Sequence, residues 1–292
     1  MYQAEQVRAK IRKVNPGISP EIVIIKTKGD KILDVALSKI GGKGLFTKEL
    51  EYALTGKKID MAVHSLKDLP TDLPERFTVG AVLERADFRD ALVSKNNKKL
   101  SELSAGDRIG TSSLRRQAGL LHLNKELHVT DIRGNINTRL QKMKEGHYDA
   151  VIMAAAGLIR LGMENHITEI LDPETFIPAV SQGIIAVEIR TGDEHTQKIC
   201  DAINHRETWQ AACMERAFLN TLQGGCQVPA GCYTTRNESA VSITGFVASP
   251  DGRIYLKENM ETPFGKMEET GRLLARKLIA RGGDKILKEI RP

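Results

Sequence analysis

Short apolar runs of strand length alternate with amphipathic stretches of helical period through most of this chain. That alternation restricts the fold more than any other feature. Strand, helix and strand in succession pack as an α/β layer, because each helix covers a sheet face that would otherwise meet water. Met1 to Val14 reads as an amphipathic helix with Val7, Ile11 and Val14 on one face. Glu21 to Thr27 predicts a strand, Leu45 to Leu54 a helix, Ile59 to His64 a short buried strand and Val79 to Leu83 another. A second unit begins near Asp90. It has strands ending at Arg108–Gly110, over His128–Ile132 and over Tyr148–Ala155, with helices over Leu114–Leu123 and Asn135–Lys144. Mainly parallel sheets are expected. Ile184 to Ile189 predicts a strand that returns to the first unit, so Glu84–Arg89 and Ile177–Gly183 would cross between the two. Two crossovers make a hinge over a cleft.

From about Glu207 the pattern changes to a small α+β unit. Two helical stretches are expected to flank a Gly/Pro-bounded turn at Cys226. Strands over Val241–Ala248 and Arg253–Asn259 are joined by the hairpin signal Pro250-Asp251-Gly252, and a helix follows over Gly265–Ala280.

The 292 residues suffice for two or three domains. No apolar run approaches the length of a membrane span, and the polar start Met1-Tyr2-Gln3 carries no signal-peptide pattern, so the expected compartment is the cytoplasm. Four cysteines, at 200, 213, 226 and 232, form no C-x-x-C pair, and the histidines complete no zinc pattern; neither a metal nor disulfides are expected. The formal charge of +6 admits nucleic acid or a small acidic ligand. Dispersed basic residues and an aromatic content of 4% speak against a stacking RNA surface, and solvated lysines account for most of the excess.

Five stretches could carry chemistry. Asp68 follows a strand end beside Ser65 and Lys67, where ligands of open α/β sheets bind and where a carboxylate can stabilise developing positive charge; it could equally cap the turn before Pro70. Thr111, Ser112 and Ser113 lie between a strand and a helix, as an anion site or as plain N-caps. Arg115 and Arg116 in the first helical turn oppose the helix dipole, a cost that an anion would offset. Arg133, Arg139 and Arg160 stand at equivalent strand ends, and arginine grips carboxylates bidentately. The alternative is that two or three of these arginines pair with acids of the chain itself. Ile40 to Phe46 is glycine-rich without phosphate-loop spacing and reads as a mobile lid carrying Lys43 and Phe46, or as a plain flexible loop. Cys226 sits in a tight turn that would hold a thiol exposed and still, as a covalent anchor needs, although free cysteines are usually buried.

Taken together, HSLKDLP at 64–70, GTSSLRRQ at 110–117, IRGNINTRL at 132–140 and GGCQVP at 224–229 occur in the order and spacing of the porphobilinogen deaminases, or hydroxymethylbilane synthases. The chain resembles that family along essentially its whole length. The resemblance implies an α/β fold of two hinged domains similar to type II periplasmic binding proteins, plus a small α+β C-terminal domain. The expected bounds are 1–84 with 184–203, then 89–178, then 206–292. It implies a transferase that joins four porphobilinogens onto a dipyrromethane cofactor held by Cys226 through a thioether, then releases hydroxymethylbilane by hydrolysis. Asp68 matches the family's catalytic residue. Ser65, Lys67, Thr111, Ser113, Arg115, Arg116 and Arg139 match its cofactor contacts; Ser112, Arg133, Arg160, Lys43 and Phe46 match its substrate contacts. The implied partners are porphobilinogen and the growing polypyrrole, with no nucleic acid and no membrane, and the implied state is a monomer.

One departure stands out. Family members begin with a strand and a basic, serine-containing turn before the first helix, whereas this chain starts at Met1-Tyr2-Gln3, within that helix. The expectation is an N-terminally truncated version or a late-start gene model; a complete chain of this length would have a poorly stable first domain and low or no activity. An inactive relative and a non-catalytic hinged anion-binding module are the alternatives.

Overall fold

The computed structural model describes residues 1–27, 47–223 and 228–290. Lys43, Phe46 and Cys226 lie outside them, as does the glycine-rich stretch before Thr47. In chain order, α1 (Tyr2–Val14) and α2 (Lys48–Thr55) precede strands β1 (Ala62–Ser65), β2 (Phe77–Val82), β3 (Asp90–Ser94) and β4 (Arg108–Gly110). Then come α3 (Leu114–Leu123), β5 (His128–Thr130), α4 (Ile136–Lys144), β6 (Ala150–Ala154), α5 (Ala155–Arg160), β7 (Glu169–Ile170) and β8 (Ile185–Arg190). The chain closes with α6 (Glu194–Ile203), α7 (Arg206–Thr221), β9 (Ala230–Arg236), β10 (Val241–Ala248), β11 (Tyr255–Thr262), α8 (Met267–Leu278) and α9 (Asp284–Ile290).

The first sheet has the order β1-β8-β2, so the returning strand is central and antiparallel to both neighbours. One face is closed by α1 and α6: Val7 and Ile11 pack with Ala81, Val187, Ile189, Cys200 and Ile203. Register slips between Val79 and Ala81. The residue between them is Gly80, where a Cβ would stand 2.8 Å from the Cys200 sulfur; a side chain there would push α6 off the sheet.

The second sheet has the order β5-β4-β6-β3-β7. β4 is parallel to β5 and β6, whereas β3 is antiparallel to β6 and β7. The expected mainly parallel sheets are not formed by the described strands: the first sheet pairs antiparallel throughout and the second is mixed. The reason is the pair of crossovers: a strand that enters from the neighbouring unit arrives at the opposite end of the sheet from one delivered by a local helix. The crossovers themselves are joined, Ala86 N–H donating to Gly183 O at 3.0 Å.

The third unit is an antiparallel meander, β11-β10-β9, covered by α7 and α8. Phe218, Ile243, Val247, Leu274 and Leu278 are wholly buried there. It rests on both other units. Trp209 and Ala212 of α7 pack against Leu66, Val82 and Ala186, and Phe246 and Tyr233 pack with Ala118 of α3.

Two expected elements differ. Glu21–Thr27 forms no strand, and Val23 and Ile24 are exposed: β-branched residues make a strand only against a cross-strand neighbour, and no described strand runs beside them. The segment after Cys226 is strand β9, not a helix; Ala230 to Thr234 is buried and belongs to a sheet edge facing α7. Among the described residues no helix is long and apolar enough to cross a membrane.

Candidate active site

β1 runs straight into a single 3-10 turn, Leu66–Asp68. Three residues per turn eclipse positions i and i+3, so Leu66 and Leu69 share one side, and both are buried. That anchors the turn and leaves Asp68 exposed at its tip. Lys67 turns inward, where its ammonium donates to Gln182 Oε1 at 3.2 Å. Burial lowers the Lys67 pKa against the opposing pull of Asp68. Ser65 accepts a hydrogen bond from Gln3 Nε2 at 2.7 Å, which brings the start of α1 to the same place.

Gln182, on the second crossover, is almost wholly buried. Its amide nitrogen donates to Phe88 O at 2.9 Å and to Asp90 Oδ1 at 3.0 Å. Asp90, the first residue of β3, is fully buried. Arg116 donates to its Oδ1 from Nε at 3.1 Å and from a terminal nitrogen at 2.7 Å, and an Arg115 terminal nitrogen lies 2.8 Å from its Oδ2. Burial alone would raise the Asp90 carboxyl, but the two guanidinium groups overcome it and hold it far below the ordinary carboxylate range. Arg115 also donates to Ile177 O, and Arg116 to Ile152 O. The anion that offsets this arginine pair at the start of α3 is thus built into the chain.

The hydroxyls bind their own loops. Thr111 accepts from Ser113 N–H, and Ser113 caps α3 through Arg116 N–H at 3.5 Å. Ser112 donates to Ile132 O at 2.8 Å and accepts from Ile132 N–H at 3.1 Å, tying the loop after β4 to the loop after β5. Because β4, β5 and β6 are mutually parallel, the segments after all three emerge at one edge.

Arg133 and Arg139 stand at that edge. Two donors of Arg133, Nε and one terminal nitrogen, are buried without a hydrogen-bond partner among the described residues. Arg139 donates to Gly134 O at 2.8 Å, and its pKa falls to about 10 through burial and the like charges of Arg116 and Arg133. Arg160, at the end of α5, is half-buried; burial lowers its pKa, and Tyr2 and Asp68 pull the other way. Lys67 and Asp68 of the first unit therefore meet Arg115, Arg116 and Arg160 of the second across Gln182, flanked by Arg133 and Arg139, which have no acidic partner among the described residues.

Gln3, Tyr2, Asp90 and Gln182 were not legible as site residues. Each acts through a partner far along the chain, and no local motif marks such pairs. An acid at a strand start opposite an Arg-Arg pair was the one usable signal. The thiols of the described cysteines are all pushed up by burial: Cys200 to about 12, Cys213 to about 11, and Cys232 well above its ordinary value. None of the three is a ready nucleophile.

Residues 1–198 match a family profile described as "Porphobilinogen deaminase, dipyromethane cofactor binding domain", and residues 209–280 match "Porphobilinogen deaminase, C-terminal domain". A porphobilinogen deaminase of Carboxydothermus hydrogenoformans is 48% identical over 291 residues, covering 100% of this chain and 94% of the relative. One of Bacillus subtilis is 47% identical, covering 100% and 93%, and one of Shouchella clausii is 49% identical, covering 100% and 94%. Among solved structures, the probable amino-acid ABC transporter extracellular-binding protein ytmK of Bacillus subtilis is 15% identical. It covers 72% of this chain and 80% of its own at a TM-score of 0.41, a likeness on which nothing below rests.

Proposed function

Because the chain belongs to the porphobilinogen deaminase family, we propose that the cluster at Asp68 and the arginines is its active site, with the residue roles set out here. The reaction joins four porphobilinogens head to tail, releasing ammonia at each joining, and water then frees the linear hydroxymethylbilane. In each joining the aminomethyl C–N bond breaks and ammonia departs with the bonding pair. A C–C bond forms to the free α-carbon of the preceding pyrrole, which gives up its proton.

The observation that carries this reading is the imbalance of charge. Arg133 has buried donors without a partner among the described residues, and the charges acting on Arg139 are those of like-charged neighbours. Such a flank fits a ligand bearing several carboxylates. The residues present therefore suit a dipyrromethane with its acetate and propionate groups. Cys226 would hold it covalently, with Ser65, Lys67, Thr111, Ser113, Arg115, Arg116 and Arg139 around it. When bound it supplies the nucleophilic pyrrole carbon on which the first porphobilinogen is received. Arg115 and Arg116 serve it only with N–H groups not already committed to Asp90, Ile177 and Ile152. Ser112, Arg133, Arg160, Lys43 and Phe46 receive the incoming porphobilinogen.

Asp68 is exposed at the tip of a fixed turn, so its carboxylate can accept pyrrole N–H donors and stabilise the positive charge that grows as ammonia leaves. That charge is larger in the transition state than in the bound substrate, so the carboxylate acts on rate more than on binding. The buried Lys67 ammonium holds Gln182 and sets the local potential beside it. We assign three domains: residues 1–84 with 184–203, residues 89–178, and residues 206–292. The protein works as a cytoplasmic monomer without nucleic acid.

Asp68→Asn tests the assignment. Turnover of porphobilinogen should fall about a hundredfold or more, with the added mass on the Cys226 peptide retained. Wild-type turnover in that variant would remove Asp68 from the chemistry.

A further inference from the structure

Helix α7 presents a stripe to the first unit: Trp209, Ala212, Cys213, Arg216 and Asn220, spaced three and four residues apart. Arg216 reaches from it to the chain just after Asp68. One terminal nitrogen donates to Leu69 O at 3.2 Å, and the other donates to Pro70 O at 2.6 Å and Thr71 O at 3.1 Å. One helical turn on, Asn220 Nδ2 donates to Asp72 Oδ1 at 2.6 Å. Four consecutive residues are thus tied to one helix of the third unit.

Leu66 and Leu69 are buried and Leu66 N–H donates to Ile184 O at 2.9 Å, but beyond Leu69 the chain borders open space. A cavity of about 500 Å³ opens there, bordered by Leu66, Thr71, Leu73, Trp209, Cys213 and Arg216. Leu69 N–H closes only the 3-10 turn, onto Leu66 O at 3.2 Å. Where side chains leave a void, a carbonyl ladder held by one planar guanidinium is what keeps the backbone from moving into it.

We propose that Arg216 is a positioning residue for the reaction. It clamps the carbonyls of Leu69, Pro70 and Thr71 so that the Asp68 carboxylate stays at a fixed point over the substrate. The inference rests on the catalytic reading of Asp68 given above. A displacement of about 1 Å at a reacting group can cost up to about a hundredfold in rate, so a loosened turn lowers kcat and leaves substrate affinity nearly untouched. Lysine at 216 keeps the charge but, as a point donor on a flexible stem, cannot span three carbonyls in one plane.

The test is a double-mutant cycle on the cofactor-loaded enzyme. Arg216→Lys should lower kcat about tenfold or more, keep KM for porphobilinogen within about twofold, and speed amide exchange in the peptide spanning 66–73. In the Asp68→Asn background the same substitution should cost almost nothing further, because the group it positions is gone. A loss that multiplies with that of Asp68→Asn, or a normal kcat for Arg216→Lys, overturns the proposal while the catalytic reading stands. Wild-type activity of Asp68→Asn alone overturns the catalytic reading instead. Should Arg216→Lys fail to fold, Asn220→Ala removes the adjoining tie at an exposed position and must show the same pattern in weaker form; additivity there counts against the proposal equally.

Discussion

Asp90 occupies the place where the arginine pair of α3 invited a ligand carboxylate. Its folded pKa is depressed, so the stability it contributes is present above the ordinary value of 3.8 and is lost as pH falls from there toward the folded value. Asp90→Asn should therefore cost about 3–5 kcal/mol at pH 7. In denaturant melts, the gap to wild type should stay constant down to about pH 4 and close only below it. A gap that narrows between pH 7 and 5 would contradict the assignment. Arg133 makes the opposite case, since its buried donors have no described partner. In a Cys226→Ala background, which on the proposed reading cannot carry the cofactor, Arg133→Leu should raise thermal stability by about 1–3 kcal/mol. With Cys226 restored, it should impair cofactor assembly or porphobilinogen binding. A stabilising loss of a functional arginine is what a site built for an absent anion predicts. The hydroxyls, Asp68, Arg115, Arg116, Arg133 and Arg139 could be singled out in the sequence because they lie at or near the turn after a strand, whereas Arg160 ends α5. Asp90 and Gln182 could not, because what makes them matter is a partner 26 and 92 residues away in the chain.

Among the elements, apolar periodicity located α1 to α4, α7, α8 and most strands, including the return of β8 into the first sheet, but not α5, α6 or α9. It failed where sequence pattern depends on a neighbour. Glu21–Thr27 has the composition of a strand and lacks a described one to pair with, and β9 reads as a second helical stretch after the Cys226 turn because its buried part, Ala230 to Thr234, shows no alternation. Strand direction was equally hidden, since the same apolar run serves a parallel or an antiparallel neighbour. The packing of α7 on α8 turns on Gly271, where any Cβ would fall on the Met214 carbonyl oxygen. Gly271→Ala should destabilise the protein by about 1–3 kcal/mol, seen as a lowered urea midpoint. An unchanged midpoint would mean the two helices separate freely.

At the scale of the molecule, one buried carboxylate joins the two crossovers to the third unit. Glu215 accepts from Arg85 at 2.6 and 3.2 Å, from Ser181 N–H at 2.7 Å, and from Thr234 N–H and Oγ1, each at 3.0 Å. Its sequence neighbour Arg216 faces the Asp68 turn, so α7 holds the two crossovers with one side chain and the Asp68 turn with the next. Glu215→Gln leaves the Arg85 charge, still mostly buried, without its counter-ion and should cost about 3–5 kcal/mol. Unfolding in denaturant should then split into two transitions as the third unit loses its coupling. On the proposed reading, the chain carries its own pyrrole primer on Cys226 and extends it. The most direct measurement is the intact mass of the denatured protein and of its Cys226 peptide, after expression with porphobilinogen available. The account predicts the added mass of two linked pyrroles on that peptide, absent in Cys226→Ala. An unmodified Cys226 in a folded protein supplied with porphobilinogen would contradict it.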